Sequence, residues 1–122
     1  MAQSIRRVSV VLATVFAMAG STHAFAGPCF MTFPEQRATG RLNAGASILL
    51  REWSSRCSGL FTASSGGGTP VLLQLAGGKW VPVGRGASIH VPQLAPGSYR
   101  LVVENTTASV ATYSVRYRTS GG

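Results

Sequence analysis

The chain has few residues with which to perform chemistry. From Gly27 onward it carries three carboxylates, Glu35, Glu52 and Glu104, one imidazole, His90, and no aspartate. General acid-base catalysis needs such groups within reach of one another. A Ser-His-Asp relay is unavailable, although Glu can take the place of Asp. No G-x-S-x-G elbow marks a nucleophile. One His and two cysteines fall short of the three or four ligands that zinc requires. Gly66-Gly67-Gly68 has no Lys-Ser/Thr behind it and so is no phosphate cradle. The expectation is a non-enzyme without metal or cofactor. A hydrolase reading would revive only if the fold set a Glu beside His90, which is otherwise an exposed or rim residue between Ile89 and Val91.

Recognition is the richer possibility. Arg100 lies on the strand face opposite Tyr99, and Arg116 and Arg118 lie opposite Tyr113 and Tyr117. If these two strands pair, the three guanidinium groups form one basic patch, suited to bidentate grip of carboxylate, sulfate or phosphate. The competing reading is a solvated polar face that deters edge aggregation. Trp53 and Trp80 are possible stacking platforms for sugars. One is expected in the core and the other, taken as Trp80, at a rim.

The positions of these residues depend on where the folded part begins. Arg6 and Arg7 close a positive n-region, Val8–Gly20 is an apolar core, and Ala24-Phe25-Ala26 is a cleavage signal, which together make a secretory signal peptide over residues 1–26. The apolar run falls short of the ~20 residues of a transmembrane helix, so an uncleaved anchor is the lesser alternative. A lipoprotein reading through Cys29 is weaker, since Pro28 precedes it. Residues 27–122 are expected to form a single domain, periplasmic or secreted. It holds both cysteines, and Cys29 and Cys57 are expected to form a structural disulfide, as in other small exported domains. Eight Arg and one Lys against three Glu leave the domain at +6. Such a surface attracts anionic partners: cell-surface glycans, lipid headgroups or acidic proteins, with nucleic acid disfavoured by the compartment.

The elements that must carry these side chains are short strands. Tyr99, Leu101 and Val103 alternate with polar residues, as do Tyr113, Val115 and Tyr117, the period-2 pattern of a half-buried strand. Pro96-Gly97 makes a turn ahead of the first. Further strands are expected at Gly27–Pro34 (an edge), Gln36–Leu42, Ser47–Trp53, Cys57–Ala63, Val71–Leu75, Trp80–Val83 and Ala87–Val91. A helix over Ile48–Arg56 competes with the third of these. Gly77-Gly78 suits a tight hairpin, and Pro82 assigns its strand to an edge or a bulge. Ser64–Pro70, rich in glycine, is expected to be a flexible loop. The spacing predicts an all-β fold, a small jelly-roll-like antiparallel β-sandwich of about eight strands.

The run Leu94–Val103 followed by Tyr113–Tyr117 resembles the end of bacterial pre-peptidase C-terminal domains. Leu42–Ile48 is similar to their first strand-turn-strand. The resemblance implies a sandwich without catalysis of its own, usually appended to exported enzymes and associated with binding or secretion. This chain is expected to depart from it in standing alone without an attached enzyme, and from Gly27 onward it has no aspartate for a calcium site. The leading expectation is a binding module that recognises an anionic partner through Arg100, Arg116 and Arg118. The alternative is a small subunit or inhibitor that pairs by a sheet edge with another exported protein.

Overall fold

The computed structural model describes residues 27–121. The proposed leader and its cleavage site lie outside the described residues. Nine strands follow in order: β1 (Met31–Thr32), β2 (Gln36–Leu42), β3 (Ser47–Ser55), β4 (Gly59–Gly67), β5 (Thr69–Ala76), β6 (Lys79–Arg85), β7 (Ser88–Leu94), β8 (Gly97–Glu104) and β9 (Ala111–Gly121). The helix alternative over Ile48–Arg56 is replaced by β3. Among the described residues no helix is long and apolar enough to cross a membrane.

The strands form two curled antiparallel sheets. One has the order β3-β8-β5-β6; the other has the order β1-β9-β4-β7, with β2 also paired to β9. The inward residues of both sheets make the core: Phe61, Leu72, Tyr99, Leu101, Val103, Tyr113, Val115 and Tyr117 among others. Tyr99, Leu101, Val103, Tyr113, Val115 and Tyr117 are the alternating positions of the two strands whose sequence pattern sets them on one face. Trp53 stacks between Tyr99 and Phe61, with ring centroids 5.6 and 5.7 Å away, and so ties the two sheets together.

Two sequence expectations are corrected. The strands β8 and β9 do not pair. They sit at the centre of different sheets, each flanked on both sides by other strands. Both alternate apolar and polar residues, and that pattern fits two facing inner sheet surfaces as well as it fits one hairpin. The glycine-rich stretch is not a flexible loop either. Residues Ser64–Gly67 complete β4, and Thr69 opens β5 in the other sheet. Only Gly68 separates them, at φ +79°. A Cβ there would lie 2.7 Å from Val103 Cγ1 and 2.8 Å from Tyr113 Cβ. The glycine therefore serves a corner that must turn left-handed and sit hard against the core.

The hairpin expectation holds at Gly77 and Gly78, both at positive φ between β5 and β6. The disulfide joins Cys29 to Cys57, 28 residues apart, and ties the N-terminal lead to the exit of β3.

Candidate functional site

Arg100 alternates with buried Tyr99 and Leu101 and leaves the outer face of the four-stranded sheet. Its register partners across that face are Glu52 on β3 and Leu73 on β5. Its Nε donates to Glu52 Oε1 at 3.0 Å. The guanidinium carbon lies 4.2 Å from the Trp80 ring centroid, within cation–π range. Trp53 packs against the core cluster, whereas Trp80 lies beneath Arg100.

Arg116 and Arg118 leave the outer face of the other sheet, between buried Val115, Tyr117 and Thr119. In a two-layer fold these outer faces point away from each other. The three arginines therefore do not meet in one patch. Arg116 stands in a row with Arg37, Ser64 and Ser88 across the sheet, and Arg118 in a row with Thr62 and His90.

Glu35, Ser64, Ser88, His90 and Arg116 line a shallow depression of about 200 Å³ on this face. A Glu and His90 thus share a depression with serine hydroxyls. The Glu35 carboxylate, however, lies 3.8 Å from Arg37 Nε and 3.9 Å from Arg116 Nε. Among the described residues no hydrogen bond joins His90 to Glu35 or to a serine, so the three residue types meet without the oriented relay that nucleophile activation needs. The described residues also hold no group of three or more His, Cys, Asp or Glu placed to bind a metal.

A larger cleft opens beside β3, where the two sheets part. It measures about 440 Å³ and is lined by Phe33, Arg51, Trp53, Arg56, Ser55 and Thr119, among others. Its walls have clear origins. Phe33 is fixed by its N–H donating to Thr119 O at 3.0 Å. Arg56 stands next to Cys57, whose disulfide to Cys29 anchors the N-terminal lead that runs on to Phe33. Ser55 Oγ donates to Cys57 O at 3.0 Å.

Arg51 is the anomaly of the cleft. Its register partner is Leu101, so it points inward from β3. Its guanidinium carbon is 5.9 Å from the Trp53 ring centroid. Its Nε is shielded from solvent and, among the described residues, has no hydrogen-bond partner. A buried N–H left unpaired costs about 1–3 kcal/mol, and such groups are rare enough to call for a reason. Among the described residues neither Arg51 nor Arg56 has a carboxylate at ion-pair distance, whereas Arg37, Arg85, Arg100 and Arg116 each do. Reading the sequence for outward arginines misses this pair. The available signal is an arginine between Leu49 and Trp53 in a strand's apolar alternation.

The fold and its surfaces define a small antiparallel β-sandwich with a cationic cleft at one open side. No family model matches the chain, and no curated protein matches it. Two solved structures share the architecture. One is Aeromonas hydrophila PliG, a periplasmic lysozyme inhibitor of g-type lysozyme, at TM-score 0.50 and 16% identity over 70% of this chain and 84% of that one. The other is the Yersinia pseudotuberculosis-derived mitogen, at TM-score 0.50 and 14% identity over 73% of this chain and 86% of that one. At these identities the likeness is one of fold.

Proposed function

We propose that this chain is an exported, non-catalytic interaction protein that binds another exported protein along the free edge of β3. One observation carries the reading. The segment Ser47–Leu50 of that edge has neither charge nor proline, and it exposes Ile48 and Leu49 at 39% and 48%. The other edges are protected in the usual ways. β6 contains Pro82, β7 contains Pro92, β2 carries Arg37 and Arg41, and β1 is only two residues long. An exposed edge with apolar side chains is a template for strand addition by a partner. Three further facts support the class: the disulfide, which suits an oxidising compartment, the leader pattern, and the shared fold of a periplasmic lysozyme inhibitor. The likeness to appended pre-peptidase domains points to the same non-catalytic class.

A second reading keeps an anionic glycan or lipid headgroup as the partner. It is favoured by the Arg100–Trp80 stack, with Arg116 and Arg118 as separate basic residues on the outer face of the opposite sheet.

The two readings differ in their response to salt. The exported protein is immobilised, the exported fraction of its own cells is passed over it, and bound material is eluted with a salt gradient. Purified g-type lysozyme is included as a defined partner. Edge pairing gives a protein that stays bound at high salt and is lost in the I48K/L49K variant, because lysines on an edge deter pairing. Release at low salt, with I48K/L49K binding normally, overturns the edge reading in favour of the anionic one.

A further inference from the structure

We propose that the cleft beside β3 receives an aspartate or glutamate side chain of the protein partner, with Arg51 and Arg56 as its cationic ligands. This rests on the assignment of the β3 edge to that partner.

Arg51 sits on β3 itself, so a chain lying along this edge passes the mouth of the cleft. The guanidinium is already constrained by the Trp53 ring, and its Nε lacks an acceptor. A carboxylate is the acceptor that matches the open end of this guanidinium: two oxygens in a plane can take one N–H from each Nη together. Arg56 adds a second positive charge to the same cleft. Phe33 and Trp53 give apolar walls for the methylene stem of an acidic side chain. The volume of about 440 Å³ accommodates such a side chain with room to spare. Three Glu elsewhere neutralise other arginines, but none reaches these two. The chain therefore supplies the cations of an ion pair and leaves the anion to its partner, and its overall excess of basic residues suits an acidic contact surface.

The site is tested on protein purified from the exported fraction of cells expressing the full chain. The arginine Nε–H resonances are followed by NMR during titration with acetyl-Gly-Glu-Gly-amide. The matched Gln peptide and inorganic phosphate are titrated separately. The expected result is a saturable shift at Arg51 and Arg56, at least fivefold weaker with the Gln peptide and with phosphate. The same shift at Arg56 should be lost in R51Q and weakened about tenfold in R51K, which keeps the charge but not the fork. R51K also controls for folding, since its resonances away from the cleft should match the parent. Equal shifts with the Gln peptide, tighter saturation by phosphate than by the Glu peptide, or an Arg56 shift unchanged in R51Q would each overturn the site. Partner capture separates this proposal from the one beneath it. Capture lost in I48K/L49K but kept at full strength in R51Q leaves the edge and removes the cleft. A peptide response intact while capture ignores I48K/L49K removes the edge and the partner-borne carboxylate with it.

Discussion

Arg100 and Trp80 are stacked at 4.2 Å on the outer face of the four-stranded sheet, and the same guanidinium holds Glu52. Arg116 belongs to the sheet behind it. Residues on opposite faces that share no partner contribute independently. R100Q and R116Q are therefore expected to be additive within about 0.5 kcal/mol in stability, and each alone to cost less than about 1 kcal/mol, as exposed ion pairs and cation–π contacts do. A double-mutant cycle by urea unfolding measures the coupling. A coupling energy well above that limit would mean that the two arginines communicate across the core.

Gly68 is the one residue between β4 in one sheet and β5 in the other. Its φ of +79° and its contact with Val103 and Tyr113 both exclude a side chain. G68A is expected to destabilise by about 2–4 kcal/mol, combining left-handed strain with overpacking. G66A serves as the control. That residue is exposed, has ordinary φ and nothing within 4 Å of a Cβ, so its cost should be small. Similar losses in both variants would mean that the corner does not depend on Gly68.

Most of the fold is legible in the residues. The alternations Tyr99-Leu101-Val103 and Tyr113-Val115-Tyr117 place eight-residue and longer strands with their correct buried faces. Alternation reports which face is buried and says nothing of which strand lies alongside. The true partners of β8 and β9 were therefore beyond it, and the three-arginine patch, which required those two strands to pair, does not form. Composition misjudged Ser64–Gly68 because glycine marks a tight corner and a floppy loop alike. The cleft was hidden for a different reason. Arg51 comes from β3 and Arg56 from the bend just after it, while Phe33 and Thr119 come from distant parts of the chain, and only the packed sheets bring them together.

Asn105 is buried to 4% exposure at the end of β8 and has every polar atom of its side chain in use. Nδ2 donates to the carbonyls of Leu42, Asn43 and Ser109 at 3.0, 3.1 and 2.8 Å, and Oδ1 accepts from Thr107 N and Oγ1. It thereby joins the β2–β3 turn to the β8–β9 loop. N105A leaves several of these groups unpaired and is expected to cost about 2–4 kcal/mol. N105D preserves the acceptor but loses the Nδ2 donors and should be nearly as costly. Chemical denaturation of the two variants decides it, and a loss below about 1 kcal/mol in both would show that water replaces the network.

The Cys29–Cys57 bridge closes a 28-residue separation between the lead and the end of β3. On the chain-entropy account its removal costs about 3–4 kcal/mol. For a domain of this size that corresponds to a fall in Tm of roughly 15–25 °C for C29S/C57S. Calorimetry on the variant checks this expectation, and an unchanged Tm would assign the bridge no role in stability.

Tyr99 gives the protein an alkaline limit. Its ring is 1% exposed and its hydroxyl donates to the carbonyl of Ala95. Burial raises its pKa above the usual 10.0, because the phenolate would lose hydration in the core. The sign follows from linkage. The unfolded chain releases this proton at lower pH than the folded one, so the folded state retains more protons once the pH exceeds 10. The contribution of Tyr99 to stability is therefore complete below that pH and is lost as the pH rises through the folded-state value. Urea unfolding across pH 8 to 12 should show stability level at first and then falling. Y99F loses the bond to Ala95 and should start lower, by about 0.5–1.5 kcal/mol for one hydrogen bond, but its alkaline decline should be shallower. Parallel declines in the two proteins would place the alkaline sensitivity in another group and leave Tyr99 a purely packing residue.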